Sequence, residues 1–284
     1  MFLDRLDGIN LEKVNQWYNG YNWLGESVFC PFDVLLFLDK RVFKAYWFET
    51  GTPTFILKLI EQGKYHVPQI ETITATERIL ESFDVEKIEL ETLLFQTGYL
   101  TIAEQVKKGN RTIYYLKYPN YEVKIGLTDY LLDYFTGNLR NKEKNIQSLY
   151  ELVENNQLHQ LKDLFYQFFA SIPNDWYRKN HLAGYEGYYA SKVYCYFSAS
   201  GLNVLTEDTT NHGRIDLTVL YKDRCYIFEF KVVSLDPEGT TLAQIKGKRY
   251  YEKYQGKFAD IFLIGVAFNK EERSITKFEV EKVF

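Results

Sequence analysis

Two acids and a lysine lie in a stretch of sequence that is otherwise apolar. The segment GRIDLTVLYKDRCYIFEFK, residues 213–231, has the β-branched and aromatic residues typical of strands and predicts a hairpin. Asp216 lies near the start of the first run, and Glu229 and Lys231 lie near the end of the second. Because antiparallel strands reverse direction, we expect these three side chains at one edge of the sheet.

The spacing of these charges indicates a particular chemistry. Glu229 and Lys231 are two residues apart, so their side chains share one face of the strand, about 6.6 Å apart along it. Two carboxylates at close range repel each other, and one lysine offsets only one charge. Oxygen ligands of this kind favour a hard divalent cation, Mg²⁺ or Mn²⁺. Such an ion activates water and polarises a phosphoryl oxygen, so the pattern indicates metal-assisted phosphodiester hydrolysis.

Glu186 is a further candidate ligand. It lies in the predicted helix HLAGYEGYYASKVYCYFSASG, where Ala190, Val193 and Phe197 follow it at helical spacing. A carboxylate on this apolar stripe needs a partner, such as a metal ion or the lysine. Two alternatives stay open: Lys231 forms only a salt bridge with an acid at the sheet edge, and Glu186 lies at the solvated margin of its stripe.

A basic segment follows the hairpin. The sequence TLAQIKGKRYYEKY predicts one helix over residues 242–254, with Gln244, Lys248 and Tyr251 on one face. Lysine, arginine and tyrosine together suit a nucleic-acid backbone and its bases. The candidate nucleic-acid contacts are Lys246, Lys248, Arg249 and Tyr251. The alternative is a solvated basic face over an aromatic core.

The overall composition narrows the class of protein. The chain has 284 residues and a formal net charge of −4 at pH 7, so a nucleic-acid-binding surface must be local. The amino terminus has acids where a secretory signal would be basic, and no apolar run approaches the ~18 residues of a membrane helix. The three cysteines and four histidines show no zinc spacing. We therefore expect a cytoplasmic protein with no membrane partner.

Patterning divides the chain into three predicted regions. Residues 1–60 are expected to be helical and are dense in aromatic residues, and residues 61–145 are expected to form a winged-helix-like unit of helix, hairpin and strand. The hairpin turn is predicted at Lys108-Gly109-Asn110, and YPNYEVKI is predicted to hold the strand. Residues 146–284 predict an α/β domain, with a mixed sheet of at least four strands and helices on both faces.

The order of the charged residues resembles a known superfamily. A helix with Glu186, then Asp216, then Glu229-Phe230-Lys231, then a helix with Gln244 is similar to the PD-(D/E)XK nucleases. The motifs GRIDLTV, YIFEFKV, LAQIKGKRYYEKY and IGVAF resemble the branch whose nuclease domain follows an AAA-ATPase-like domain in bacterial proteins. WYNGY, CPFDVLLFL and YWFETGTPTFILKLI resemble the final part of that ATPase-like domain, and LLFQTGYLTI and YPNYEV resemble the segment between the two.

This resemblance implies a restriction-endonuclease-like fold and a set of roles. It implies that Glu186, Asp216 and Glu229 are metal-site acids, that Lys231 is the catalytic lysine, and that Gln244 is an accessory catalytic residue near phosphate or water. The implied activity is Mg²⁺-dependent hydrolysis of DNA rather than RNA, with the first region as an ATPase remnant. The alternative is a non-catalytic nucleic-acid-binding or oligomerisation module that keeps the nuclease fold. Endo- or exonuclease action, oligomeric state, biological role and the natural extent of the ATPase-like part stay open.

We expect that this chain neither binds nor hydrolyses ATP. The sequence contains no GxxxxGK[ST] loop, whose backbone N–H groups and lysine hold the phosphates of a nucleotide. A steady-state phosphate-release assay with ATP and Mg²⁺ checks this, with buffer alone as the baseline. Turnover that survives repurification would contradict the prediction.

Overall fold

The computed structural model describes residues 7–50, 54–63, 66–80, 89–136, 138–170, 186–233, 241–269, 272 and 274–284. The chain forms two compact units, one of Met1–Ile60 with Ile70–Tyr130 and the other of Glu61–Gln69 with Leu131–Phe284. The predicted division into three regions stays a prediction. No helix in the described ranges is long and apolar enough to cross a membrane.

Short helices and small sheets make up the chain before residue 118. Its α-helices are α1 (Leu11–Tyr18), α2 (Pro31–Lys40), α3 (Thr54–Gly63), α4 (Glu77–Leu80) and α5 (Leu90–Gln96). Its strands are β1 (Asn19–Tyr21), β2 (Val28–Phe29), β3 (Thr74–Thr76), β4 (Thr101–Lys108) and β5 (Arg111–Lys117). Strands β1 and β2 pair with each other, and the other three form a sheet in the order β3-β5-β4.

The predicted hairpin is present, but the strand predicted after it is helical. Lys108 pairs with Arg111, which leaves Gly109 and Asn110 as a two-residue turn. Gly109 has a φ of 61°, the left-handed conformation that such a turn requires. The next element is the helix α6 (Tyr121–Thr136), so the strand prediction for YEVKI was wrong. The physical reason is a cap: Asn120 Oδ1 accepts a hydrogen bond of 3.0 Å from Val123 N.

A mixed sheet lies at the centre of the second unit. Its strands are β6 (Asn203–Thr210), β7 (Gly213–Tyr221), β8 (Arg224–Val233), β9 (Asp260–Asn269) and β10 (Ser274–Lys282). They form a 5-stranded sheet in the order β10-β9-β8-β7-β6. Strands β8 and β9 are parallel, and the other neighbours are antiparallel. The predicted mixed sheet in a restriction-endonuclease-like fold is confirmed.

Helices cover both faces of this sheet, as alternation along its strands requires. Within the described ranges, the α-helices after α6 are α7 (Leu139–Glu154), α8 (Leu161–Ala170), α9 (Glu186–Ala199) and α10 (Thr241–Gly247). On one face of β8, the ring of Phe228 lies 6.4 Å from that of Phe165 in α8 and 5.2 Å from that of Phe197 in α9. On the other face, Ile227 belongs to a buried cluster with Ile245 of α10.

The helix predicted over residues 242–254 is wrong in its extent. Helix α10 ends at Gly247, Arg249 has a left-handed φ of 48°, and a 3₁₀ turn follows at Tyr250–Lys253. Residue Tyr250 is fully buried, and Tyr254 is 4% exposed, so burial of both rings decides the course of the chain here. Gln244, Lys248 and Tyr251 therefore do not share one helical face.

Gly265 allows helix α10 to lie close to the sheet. A Cβ atom at this position would lie 2.6 Å from the backbone N of Leu242 and 3.1 Å from the Cβ of Thr241. Gly265 pairs with Glu229 on the neighbouring strand. The first turn of α10 therefore packs against the sheet beside the predicted catalytic glutamate.

Replacing Gly265 with alanine should lower the free energy of unfolding by about 1–3 kcal/mol, because the added methyl group overpacks a backbone contact. Urea unfolding measures the change. Gly247→Ala is the matched control, since a Cβ there would meet nothing within 4 Å. It should change the free energy of unfolding by less than about 0.5 kcal/mol. Equal stability of Gly265→Ala and the wild type would contradict the close packing.

Candidate active site

The Asp216 carboxylate lies where the pairing of β7 and β8 ends. The last paired residues at this end are Leu217 and Phe228, and Asp216 precedes them on β7. Its Oδ2 atom accepts a hydrogen bond of 2.9 Å from the backbone N of Phe230. The carboxylate therefore uses a backbone donor of the strand that carries Glu229, and the two acids lie at the same end of the sheet.

Glu229 is buried and contacts two side chains from the segment that follows β8. Gln244 Nε2 donates a hydrogen bond of 2.6 Å to Glu229 Oε1, and Lys248 Nζ lies 3.6 Å from the same oxygen. Only 5% of Glu229 is exposed. Because α10 packs directly on Gly265, which pairs with Glu229, the helix brings Gln244 within hydrogen-bonding distance.

Burial dominates the electrostatics of Asp216. Desolvation raises the pKa of this carboxyl group above its usual value, although the hydrogen bond from Phe230 and the charges of Lys248 and Arg214 act to lower it. The pKa of the Lys248 ammonium is raised, chiefly by the neighbouring Tyr250 side chain and further by the charge of Glu229. The site thus holds buried negative charge that the neighbouring cations only partly offset.

Glu207 is a site neighbour that the sequence did not reveal. Strands β6 and β7 pair on either side of it, and Glu207 itself has a left-handed φ of 51°. Its carboxylate contacts the Arg214 guanidinium, and His66 Nδ1 lies 3.8 Å from its Oε1. Burial raises the pKa of Glu207, and the negative charge of Asp216 adds to that rise. Burial and the charge of Arg214 lower the pKa of His66 to about 4, so its ring is neutral at pH 7.

Two predicted site residues are not brought to the acids by any described contact. Lys231 is exposed on β8 and pairs with Ala267, and no ion pair of Lys231 occurs within the described ranges. Glu186 begins helix α9, but its side chain lies outside the described part of the chain. Among described residues, no group of three or more His, Cys, Asp or Glu side chains is arranged to hold a metal ion.

The four residues predicted to contact nucleic acid lie in different environments. Lys246 Nζ lies 2.9 Å from Glu281 Oε1 on β10, while Lys248 contacts the buried acid Glu229. Arg249 is exposed, and the partly buried ring of Tyr251 lies 5.8 Å from that of Phe284. The structure therefore unites Gln244 and Lys248 with Glu229, and leaves Lys246 and Arg249 at the surface.

The donor atoms fit a hard divalent cation. Asp216 and Glu229 supply carboxylate oxygens from adjacent strands, and such oxygens are the ligands that Mg²⁺ and Mn²⁺ prefer. The buried negative charge of both groups is only partly compensated by Lys248. A cation bound between two such acids would lower the cost of keeping both ionised.

Residues 184–278 match the family model of the PD-(D/E)XK nuclease superfamily. The matched segment begins just before α9, extends into β10, and includes Asp216, Glu229, Lys231 and Gln244. Over this part of the chain, the match supports the PD-(D/E)XK nuclease superfamily that the order of the charged residues predicted.

One relative matches over the whole length of the chain. It is the "Uncharacterized protein in vnfD 5'region" of Azotobacter chroococcum mcd 1, which is 46% identical over 283 residues. The alignment covers 100% of this chain and 55% of that protein, so the chain spans about half the length of this relative. No solved structure gives a significant match. The branch that follows an AAA-ATPase-like domain stays a prediction.

Asp216→Asn should gain stability relative to the wild type as the pH rises. The raised pKa of Asp216 means that the folded state favours the protonated acid. The stabilisation from this group is complete below the ordinary pKa of aspartate, and it is lost as the pH rises through the folded value. Asparagine avoids this loss. Urea unfolding from pH 4 to pH 8 in EDTA measures the difference.

Asp223→Asn controls for the loss of one negative charge, because Asp223 lies on the exposed turn between β7 and β8, at the other end of β7. A stability difference between Asp216→Asn and the wild type that stays constant, or shrinks, with rising pH would contradict the prediction.

Proposed function

We propose that this chain is a Mg²⁺-dependent nuclease that hydrolyses phosphodiester bonds of DNA. One observation carries the proposal: Asp216 and Glu229 lie at the same end of the sheet, in a domain that matches the PD-(D/E)XK nuclease superfamily. Carboxylate oxygens are ligands that Mg²⁺ prefers, and Mn²⁺ can substitute for it. We propose DNA rather than RNA as the substrate.

Asp216 and Glu229, together with Glu186, would hold the metal ion. When bound, the ion supplies an activated water molecule and polarises a phosphoryl oxygen. The hydrogen bond from Phe230 N holds the Asp216 carboxylate, and the hydrogen bond from Gln244 holds that of Glu229. Both acids are therefore oriented before substrate arrives, which lowers the reorganisation needed during the reaction.

Two lysines have different proposed roles. Lys248 lies 3.6 Å from Glu229 Oε1, and its positive charge offsets part of the charge of an ionised carboxylate there. Lys231 is exposed and follows Glu229 by two residues, so strand alternation supports a role on the same face of β8 as that acid. We propose that Lys231 stabilises the negative charge that develops on the phosphate.

The proposed activity is tested with supercoiled, linear and single-stranded DNA in Mg²⁺, Mn²⁺ or EDTA. We expect cleavage with either metal, no cleavage in EDTA, and none by Asp216→Asn. An RNA of the same sequence tests the choice of substrate. A folded wild-type protein that cleaves none of these nucleic acids with either metal would instead favour the alternative, a non-catalytic binding or oligomerisation module.

Lys231→Ala should lower the cleavage rate by a factor of about 10² or more, as expected when one preorganised stabilising group is lost. Its melting temperature and its Mn²⁺ binding by calorimetry should stay close to the wild-type values, because the side chain is exposed. Lys222→Ala, on the exposed turn between β7 and β8, is the control and should cut normally. A folded, metal-binding Lys231→Ala variant that cuts at the wild-type rate would remove this lysine from the mechanism.

A further inference from the structure

An open polar cavity lies at the turn between β6 and β7. Its volume is about 420 Å³, a size typical of ligand sites. The turn contributes Thr210 and His212 to the lining, and the segment after α10 contributes Arg249, Glu252 and Lys253. The cavity therefore combines three basic side chains with one acid.

The Glu252 carboxylate contacts two of the basic side chains that line this cavity. Its Oε1 lies 3.4 Å from Arg249 Nη1, and its Oε2 lies 3.6 Å from His212 Nε2. These side chains are exposed, so both pairs are weak and are open to competition from another anion. Lys253 is held separately, by the Asp208 carboxylate and by the carbonyl oxygen of Thr209 at 3.0 Å.

The cavity lies close to the candidate active site. Arg249 directly follows Lys248, whose ammonium lies 3.6 Å from Glu229. Gly213, the first residue of β7, precedes Asp216 by three residues, about 10 Å along a strand. One strand of DNA carries a phosphate about every 3.4 Å of helix axis. A phosphate within about three nucleotides of the cleaved bond would therefore reach the cavity.

We propose that this cavity binds a phosphate of the DNA strand beside the cleaved bond, and that the Glu252 carboxylate occupies the phosphate position in the free protein. This inference rests on the nuclease function proposed above. Arg249 supplies a guanidinium group that can bind phosphate through two N–H donors, and His212 adds a ring N–H donor. Phosphate and carboxylate repel each other, so DNA binding must displace Glu252 from both partners.

The test measures DNA affinity over a series of salt concentrations. A short fluorescent duplex is titrated in EDTA, which prevents cleavage, and anisotropy reports binding. Glu252→Gln should bind DNA about 3- to 10-fold more tightly, because the competing carboxylate is gone. Arg249→Gln should bind more weakly, and the slope of log K against log salt concentration should fall by about 0.9, the value for one phosphate contact.

The other end of the sheet offers a matched pair of controls. There Lys222 Nζ lies 3.8 Å from Glu154 Oε1, and the side chains are 63% and 44% exposed. The corresponding exposures of Arg249 and Glu252 are 63% and 43%. Glu154→Gln and Lys222→Gln thus make the same charge changes at equal exposure, far from the acids. They should leave DNA affinity and its salt slope close to the wild-type values.

The outcomes separate this inference from the nuclease proposal. If the wild type binds and cuts DNA but Glu252→Gln and Arg249→Gln behave like their controls, the phosphate site is wrong and the nuclease function stands. If Glu154→Gln tightens binding as much as Glu252→Gln, net charge explains the effect and the site is also wrong. If the wild type neither binds nor cuts nucleic acid, both proposals fail. Melting temperatures confirm that each variant is folded.

Discussion

Desolvation of the Glu229 carboxylate is the constraint on which the site depends. The residue is 5% exposed, and a charged group so far from water is costly unless it is paired and hydrogen-bonded. Gln244 and Lys248 supply these contacts from one short segment. That segment reaches the carboxylate because Gly265 has no side chain to hold α10 away from the sheet. The absence of a side chain at Gly265 on β9 thus allows α10 to orient the Glu229 carboxylate on β8.

Burial of both faces of β8 confines charge to the two ends of the strand, with Arg224 at its start and Glu229 and Lys231 near its finish. Phe228 packs against helices on one side, and Ile227 packs against the cluster around α10 on the other. At the end that carries Glu229, the pairing with β7 stops after Phe228, and the backbone N–H of Phe230 donates a hydrogen bond to the Asp216 carboxylate. Burial raises the pKa of Asp216, so this position is unfavourable for the ionised acid.

The local sequence pattern predicted many secondary-structure elements correctly. It failed where contacts with distant parts of the chain override local preference. The two-residue turn at Gly109 and the mixed sheet follow from turn chemistry and alternation. The helix predicted through Tyr254 stops early because Tyr250 and Tyr254 are both drawn into the core. No rule of helical spacing contains that information, since the apolar surface that buries these rings comes from β-strands elsewhere in the chain.

The sequence by itself determined which acids lie at one end of a hairpin, because two-residue periodicity and antiparallel pairing are local properties of strands. It also carried enough of the motif to identify the superfamily. Only the tertiary structure decided that Lys248 rather than Lys231 contacts Glu229, and that Glu207 lies beside Asp216. Strand periodicity specifies the face of the sheet on which a side chain lies. The neighbours of that side chain depend on which distant segments pack against this face, and that packing is decided by burial over the whole domain.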